Sequence, residues 1–78
     1  MSNELESIRD SYQILHQFYS DDDQRKAYVI KDEKGFQVTC YKLNQAGVMI
    51  CDRIIDVSDR SQYYAEDTAE NWVTYVIK

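Results

Sequence analysis

The residues of this chain that could carry catalytic chemistry are few and lie far apart in the sequence. His16 is the only histidine. Catalysis by histidine requires an acid or a nucleophile held beside it, and no neighbour at a recognisable spacing supplies one. We therefore interpret His16 as a satisfied or solvent-facing residue of a helix. The sequence predicts no catalytic residue, and we expect the protein not to be an enzyme.

The two cysteines, Cys40 and Cys51, occupy neighbouring predicted strands. In a hairpin symmetric about Gln45 and Ala46 they would face each other, as a disulfide or half of a zinc site requires. A zinc ion needs four ligands, however, and one distant histidine does not complete the set. With Cys40 on the core face and Cys51 on the other, the thiols do not meet. We favour two independent small hydrophobic residues.

The acidic run Asp21-Asp22-Asp23 contains carboxylates of the kind that bind calcium. The twelve-residue calcium loop also needs a central glycine and a closing glutamate. Lys26 stands where the glycine belongs, and Asp32 closes the loop in place of glutamate. The run therefore predicts a solvated acidic loop. No phosphate-binding glycine loop, serine-nucleophile turn or zinc-protease helix is present either, so we expect neither metal nor cofactor.

The composition limits the class of protein. The chain has 78 residues, of which 44% are hydrophobic, and its 14 acidic and 9 basic residues give a net charge of −5. The length predicts one domain over residues 1–78, and the charge speaks against binding nucleic acid or an anionic membrane. The start MSNELESIRD is polar and lacks the apolar core of a signal peptide, and the sequence contains no run of about 18 apolar residues, so we expect neither a signal peptide nor a membrane span. We expect a cytoplasmic protein with reduced thiols.

Hydrophobic periodicity predicts the element order α-β-β-β-α, an α+β fold. A first helix over about residues 3–18 follows from apolar residues at helical spacing, namely Leu5, Ile8, Tyr12, Leu15 and Tyr19. Runs rich in β-branched and aromatic residues around two glycines predict strands over about residues 26–32, 36–42 and 47–55. A last helix over about residues 59–76 has one packing face, formed by Ala65, Ala69, Trp72 and Val76. Its ending VTYVIK has strand propensity, so a short fourth strand is an alternative.

The first predicted hairpin turns at Asp32-Glu33-Lys34-Gly35, a type I turn followed by a left-handed glycine. Its three-residue loop sets Ile30 opposite Val38 and divides the side chains between two faces. The core face then holds Tyr28, Ile30, Phe36, Val38 and Cys40, and the outer face holds Val29, Lys31, Gln37, Thr39 and Tyr41. In the third strand Asp52 falls among core-facing residues. We expect either a bulge near residues 51–53 or a strand covered on both faces.

The simplest packing of these elements is a three-stranded antiparallel meander with both helices on one face. The outer face of the sheet would stay exposed or meet a partner. The seven tyrosines and one tryptophan favour an interaction surface, because such side chains combine large contact areas with polar tips. The candidate contacts are Val29, Thr39, Tyr41, Tyr63, Tyr64, Trp72 and Tyr75, although Trp72 also suits the core. The candidate acidic face is Asp56, Asp59, Glu66, Asp67 and Glu70, which also suits an ordinary solvated surface.

The α-β-β-β-α order and the segment SQYYAEDTAENWV, with its serine start and its alanines at Ala65 and Ala69, resemble the double-stranded-RNA-binding domain. In that family, lysines at the start of the last helix grip phosphates. Here Gln62, Tyr63 and Tyr64 stand in that region, and acidic residues follow. The resemblance therefore implies a shared architecture without the RNA contacts.

A second resemblance concerns the segment AEDTAENWV in its setting after a meander of strands. The chain resembles small acidic proteins encoded by T4-like marine cyanobacterial phages. This resemblance implies a cytosolic protein that acts inside an infected cell, and it implies no particular activity.

Three hypotheses of function follow. The leading one is a small non-enzymatic module that binds a host or phage protein or a second copy of itself. The second is acidic mimicry, in which carboxylates occupy a basic groove meant for nucleic acid. The third is nucleic-acid binding on the double-stranded-RNA-binding architecture, which the net charge of −5 disfavours. It would require six basic residues to gather on one surface: Lys26, Lys31, Lys34, Lys42, Arg53 and Arg60.

Overall fold

A computed structural model describes residues 12–77 of the chain. Four strands form one antiparallel sheet in sequence order, and a helix follows them. The strands are β1 (Tyr12–Tyr19), β2 (Arg25–Asp32), β3 (Gly35–Leu43) and β4 (Met49–Asp56), and the helix is α1 (Gln62–Val73). The described chain is therefore a small compact α+β domain with the order β-β-β-β-α. No helix within these residues is long and apolar enough to cross a membrane.

The predicted first helix is wrong over residues 12–18, which belong to β1; the rest of that prediction lies outside the described residues. The strand YQILHQFY is rich in aromatic residues, which favour a strand. Its pairing with β2 shifts between Ile14 and His16, so Leu15 is the extra residue of a β-bulge. Leu15 and Phe18 both pack against the core. Because of the bulge, two core-facing apolar residues lie three positions apart, a spacing that is also typical of a helix. The predicted α-β-β-β-α order with two helices on one face is replaced by a four-stranded meander and one C-terminal helix.

The register between β2 and β3 also differs from the prediction. Asp32 pairs with Gly35 and Val29 pairs with Val38, so the loop is one residue shorter than predicted. The Asp32 carboxylate fixes this tight turn by accepting hydrogen bonds from two backbone N–H groups, those of Lys34 at 2.8 Å and Gly35 at 3.2 Å. Because side chains alternate along a strand, this one-residue shift exchanges the two faces of β2 relative to the prediction.

The bulge predicted near residues 51–53 is confirmed in β4. Tyr41 pairs with Cys51 and Cys40 pairs with Arg53, which leaves Asp52 as the extra residue. The Asp52 carboxylate lies 2.7 Å from Arg53 Nε, which holds the bulge in place. This register also keeps Cys40 and Cys51 from facing each other, and both are free thiols.

Helix α1 covers one face of the sheet. Ser61 caps its start by accepting a hydrogen bond from the Tyr64 N–H at 3.2 Å. The predicted packing face is confirmed except at its end, because α1 stops at Val73, which is buried, and Val76 is exposed. The alternative fourth strand is not formed by residues 73–77. Helix and sheet share one buried core, made of Ala27, Val29, Val38, Cys40, Val57, Ala65, Ala69, Trp72 and Val73.

An arginine from β2 fastens the end of α1 to the sheet. The Arg25 Nη1 group donates hydrogen bonds to the carbonyls of Trp72 at 3.0 Å and Ile77 at 2.7 Å. Its guanidinium carbon also lies 3.9 Å from the ring centre of Trp72 and 4.2 Å from that of Tyr75. A cation at the C-terminal end of a helix also interacts favourably with the helix dipole. We call these four residues the Arg25 clasp.

The clasp holds a residue in a costly backbone conformation. Tyr75 has a φ of +67°, in the left-handed region that glycine usually occupies after a helix. Its hydroxyl donates to the Asp22 carboxylate at 2.7 Å. The hydroxyl of Ser20 and, after it, that of Tyr75 lower the pKa of Asp22 through their hydrogen bonds.

A lowered pKa in the folded state makes this contact sensitive to acid. Its stabilisation is complete above the unfolded value, about pH 4, and is lost as the pH falls through the folded value. We expect Tyr75→Phe to lower the free energy of unfolding at neutral pH. The difference from wild type should shrink below pH about 4. Urea denaturation of both proteins across this range measures it, and a difference independent of pH would contradict the role of the bond.

Candidate interaction surface

The outer face of the sheet is the face turned away from α1. Three rows of residues that pair across all four strands define it. The first row is Ile14, Ile30, Gln37 and Asp56; the second is Gln17, Tyr28, Thr39 and Ile54; the third is Tyr19, Lys26, Tyr41 and Cys51. Alternation places these side chains opposite the buried ones of β2 and β3.

The outer face is largely apolar, and much of it is exposed. Ile14 is 45% exposed, Tyr19 is 56% exposed and Ile54 is 60% exposed. Lys26 and Asp56 are the charged residues of the three rows. Exposed apolar side chains grouped on one face of a sheet are a feature of interaction sites, whereas single scattered ones are normal on protein surfaces.

A lysine and two tyrosines order the middle of the outer face. The Lys26 Nζ atom lies 5.2 Å from the ring centres of both Tyr28 and Tyr41. The two rings are 5.6 Å apart and tilted, and a hydrogen bond with Tyr28 raises the pKa of Lys26. Because these side chains already hold one another, binding through them costs little conformational entropy.

Thr39 lies in the second row, on an inner strand. Its Oγ1 atom is out of contact with solvent and has no hydrogen-bond partner among the described residues. A buried hydroxyl without a partner destabilises a fold by about 1–3 kcal/mol. The side chains around Thr39 therefore shield this hydroxyl from solvent.

The predicted interaction residues do not gather on one surface. Thr39 and Tyr41 lie on the outer face, as predicted. Val29 was predicted beside them but is fully buried, because the one-residue register shift turns it into the core. Trp72 is 1% exposed, and its indole N–H donates to the Tyr41 carbonyl at 2.9 Å, so it is a core residue.

The other predicted aromatic residues lie on or after α1. Tyr63 is 84% exposed at the start of the helix. Tyr64 stacks under the Arg60 guanidinium, whose carbon is 4.9 Å from the ring centre. Tyr75 belongs to the Arg25 clasp. None of these three belongs to the rows of the outer face.

Sequence reasoning misses most of the outer face. It places Ile14 and Tyr19 in a helix, and Tyr28 and Ile30 in the core. One signal could have corrected the second error. The small residues of α1, Ala65 and Ala69, require a close approach to the sheet, and Ala27 rather than Tyr28 allows it.

The predicted acidic residues do not lie together. Three of them line a groove of about 500 Å³ beside α1, namely Asp56, Asp59 and Asp67. Glu66 faces β1 instead, where its carboxylate is 3.6 Å from His16 Nδ1, and Glu70 does not line the groove. His16, which was predicted on a helix, therefore lies on a strand beside an acid. The five acids do not form one continuous face.

The basic residues required for nucleic-acid binding separate as well. Lys26 is on the outer face, Lys42 lies 3.3 Å from Asp52, and Arg53 lies over the Trp72 ring on the helix side. The α-β-β-β-α order that resembles the double-stranded-RNA-binding domain is also absent, since residues 12–19 form a strand. Within residues 12–77, no three His, Cys, Asp or Glu side chains come together as a metal-binding group.

The two thiols are expected to differ in reactivity. Burial raises the pKa of the Cys40 thiol to about 11, whereas Cys51 is exposed at the end of the third row. Because the thiolate is the reactive form, we expect one thiol per chain to react with a colorimetric reagent in the folded protein and both to react in denaturant. Cys51→Ser should leave none reactive in the folded state. Two reactive thiols in the folded wild type would contradict the burial of Cys40.

Compared with protein-family models, with curated proteins and with solved structures, the chain matches none of them.

Proposed function

We propose that the chain is a small non-enzymatic module that binds a protein partner through the outer face of its sheet. The observation that carries this proposal is the set of exposed apolar side chains on the outer face, Ile14 and Tyr19 on β1 and Ile54 on β4. The ordered cluster of Lys26, Tyr28 and Tyr41 supports it further, because rigid aromatic side chains are common among the residues that dominate binding energy.

The dimensions of the face suggest the kind of contact. Four strands spaced about 4.8 Å apart and about seven residues long present roughly 450 Å². This is less than the roughly 800 Å² per partner of a standard stable interface. The face therefore suits a flat apolar surface, such as another sheet or one side of an amphipathic helix, in a reversible complex. We place this binding in the cytoplasm, where an exposed thiol such as Cys51 stays reduced.

Replacing Ile54 by lysine is expected to abolish binding without unfolding the domain. The side chain is 60% exposed, so a lysine there changes stability by no more than about 0.5 kcal/mol. Its ammonium would have to be buried against the partner without a counter-charge, which weakens binding at least tenfold. Binding is measured by capturing the partner from a lysate of the producing cells with tagged protein and then titrating the purified partner.

Tyr63→Lys is the matched control, because Tyr63 is 84% exposed and lies on α1 rather than on the outer face. We expect it to bind the partner as wild type does. A partner that binds Ile54→Lys normally, or that is lost with Tyr63→Lys, would refute the proposal.

The acidic groove favours a second candidate function, the occupation of a basic groove meant for nucleic acid. Asp59 and Asp67 line the groove together with Asp56, Arg60 lines it beside Asp59 at 3.8 Å, and Ile77 contributes apolar surface. Binding of this kind would weaken steeply with salt and would be lost with Asp59→Asn and Asp67→Asn together. Salt-independent binding that tolerates these substitutions would exclude it.

A further inference from the structure

β1 is an edge strand of the described sheet, and its composition is unusual for an edge. Its sequence YQILHQFY contains no Lys, Arg, Asp, Glu or Pro. Edge strands offer unpaired N–H and C=O groups to other strands, and charged residues or proline commonly guard them. The Gln13, Ile14, His16, Gln17 and Tyr19 side chains are exposed, so a second strand could approach them.

The opposite edge is guarded. β4 carries Asp52, Arg53 and Asp56 within eight residues, and Asp52 bulges out of its pairing with β3. Charges of this kind oppose pairing with a further strand. The described sheet therefore has one edge that resists strand addition and one that permits it.

We propose that β1 pairs antiparallel with β1 of a second copy of the chain, which joins two sheets into one continuous sheet of eight strands. This inference does not depend on the outer face or on its partner. The lack of charge on β1 permits a second copy as occupant, because no acid of one β1 strand stands opposite an acid of the other.

The position of the bulge fits this pairing. A two-fold axis between Leu15 and His16 aligns all eight residues of β1 with the eight of the second copy. Side chains alternate along a strand, so this register would normally set opposite faces against each other. The bulge at Leu15 shifts the alternation of side chains by one residue at the axis. Residues that pair across the axis therefore lie on the same face of the joined sheet. Ile14 then stands opposite Gln17 of the second copy, and both belong to the outer face.

The pairs on the helix side agree as well. Gln13 stands opposite Phe18 of the second copy. Both lie on the helix side of the sheet, the side on which β2 carries Val29 and Ala27. Leu15 stands opposite His16 of the second copy. Other registers that shift the axis by one residue would pair outer-face residues with helix-side residues, so the observed bulge selects this one.

The mass of the full chain in solution is the first test. Sedimentation equilibrium should give twice the chain mass of 9.3 kDa. A single-chain mass at every concentration would overturn the proposal. Ile54→Lys, which removes binding of a partner to the outer face, should leave the dimer intact, so a failure of this inference and a failure of the proposed function can be told apart.

Register-specific cross-linking is the second test. Ile14→Cys and Gln17→Cys are each made with Cys51→Ser, so that the exposed native thiol does not interfere. Residues paired across antiparallel strands have Cα atoms about 4.5–5.5 Å apart, within the range of a disulfide. Under mild oxidation, the mixture of the two variants should form a covalent heterodimer, and neither variant should form a homodimer alone. Cross-linking of a single variant with itself, or none in the mixture, would overturn the register and with it the proposal. Thermal melting checks that each variant folds.

Discussion

Replacing Gly35 by alanine is expected to lower the free energy of unfolding by about 3–4 kcal/mol. Gly35 begins β3 with a φ of +129°, which side-chain-bearing residues rarely adopt. A Cβ atom there would lie 2.7 Å from the Ser58 carbonyl oxygen and 2.9 Å from Ser58 Cα. Both atoms belong to the backbone, so the loop before α1 would have to move. The loss approaches the whole stability of a domain this small, and urea denaturation measures it.

Gly47→Ala separates the steric effect from the conformational one. Gly47 also has a positive φ, +80°, but a Cβ atom there would meet nothing within 4 Å. We expect this variant to lose only about 1–2 kcal/mol, the usual cost of a left-handed backbone for a residue other than glycine. Equal losses at the two positions would show that β3 and Ser58 do not approach each other as closely as described.

Replacing Arg25 by methionine is expected to lower the free energy of unfolding by about 2–4 kcal/mol. The substitution keeps an apolar stem but removes two charge-assisted hydrogen bonds, to the carbonyls of Trp72 and Ile77. It also removes the cation that stacks on the Trp72 and Tyr75 rings. The end of α1 would loosen first, so Trp72 fluorescence should report the change together with denaturation.

Arg25→Lys keeps the positive charge without the planar guanidinium. A lysine cannot stack flat between two rings while it donates to two carbonyls. We therefore expect it to recover less than half of the loss caused by Arg25→Met. If lysine restored the full free energy of unfolding, the contribution of Arg25 would be only the interaction of a positive charge with the end of α1.

The parts of the fold that the sequence predicts are those with a local cause. Ala65, Ala69 and Trp72 form the buried side of α1, and the conflict at Asp52 marks a bulge. Each follows from a short pattern that tertiary packing does not override. The end of α1 is not predicted correctly from the sequence, because Arg25, which fixes it, lies on a strand distant in the sequence.

The errors arise where one residue changes the phase of a pattern. The bulge at Leu15 gives β1 an apolar spacing that imitates a helix. The loop after Asp32 is one residue shorter than predicted, and both faces of β2 mix apolar with charged residues, so the polarity pattern does not reveal the slip. Val29 and Tyr28 exchange faces as a result. Of the seven predicted contacts, only Thr39 and Tyr41 therefore lie on the outer face.

The corrected outer face explains the tyrosine content in part. Tyr19, Tyr28 and Tyr41 stand in its rows, whereas Tyr63 stands apart on α1. If the outer face binds the partner, β1 remains free to join a second copy, since backbone pairing at the edge and contact across the face use different groups. A dimer would then present two outer faces side by side, which increases the effective concentration of the second binding event.

The rate at which Cys51 reacts with an alkylating reagent tests the central claim most directly. Cys51 ends the third row of the outer face on β4, at the edge away from β1, so pairing through β1 leaves it exposed. The rate is measured on wild-type protein alone and with saturating purified partner. We predict a rate at least tenfold lower in the complex, because the partner covers the thiol. An unchanged rate in a fully formed complex would show that the partner binds elsewhere and would contradict the account.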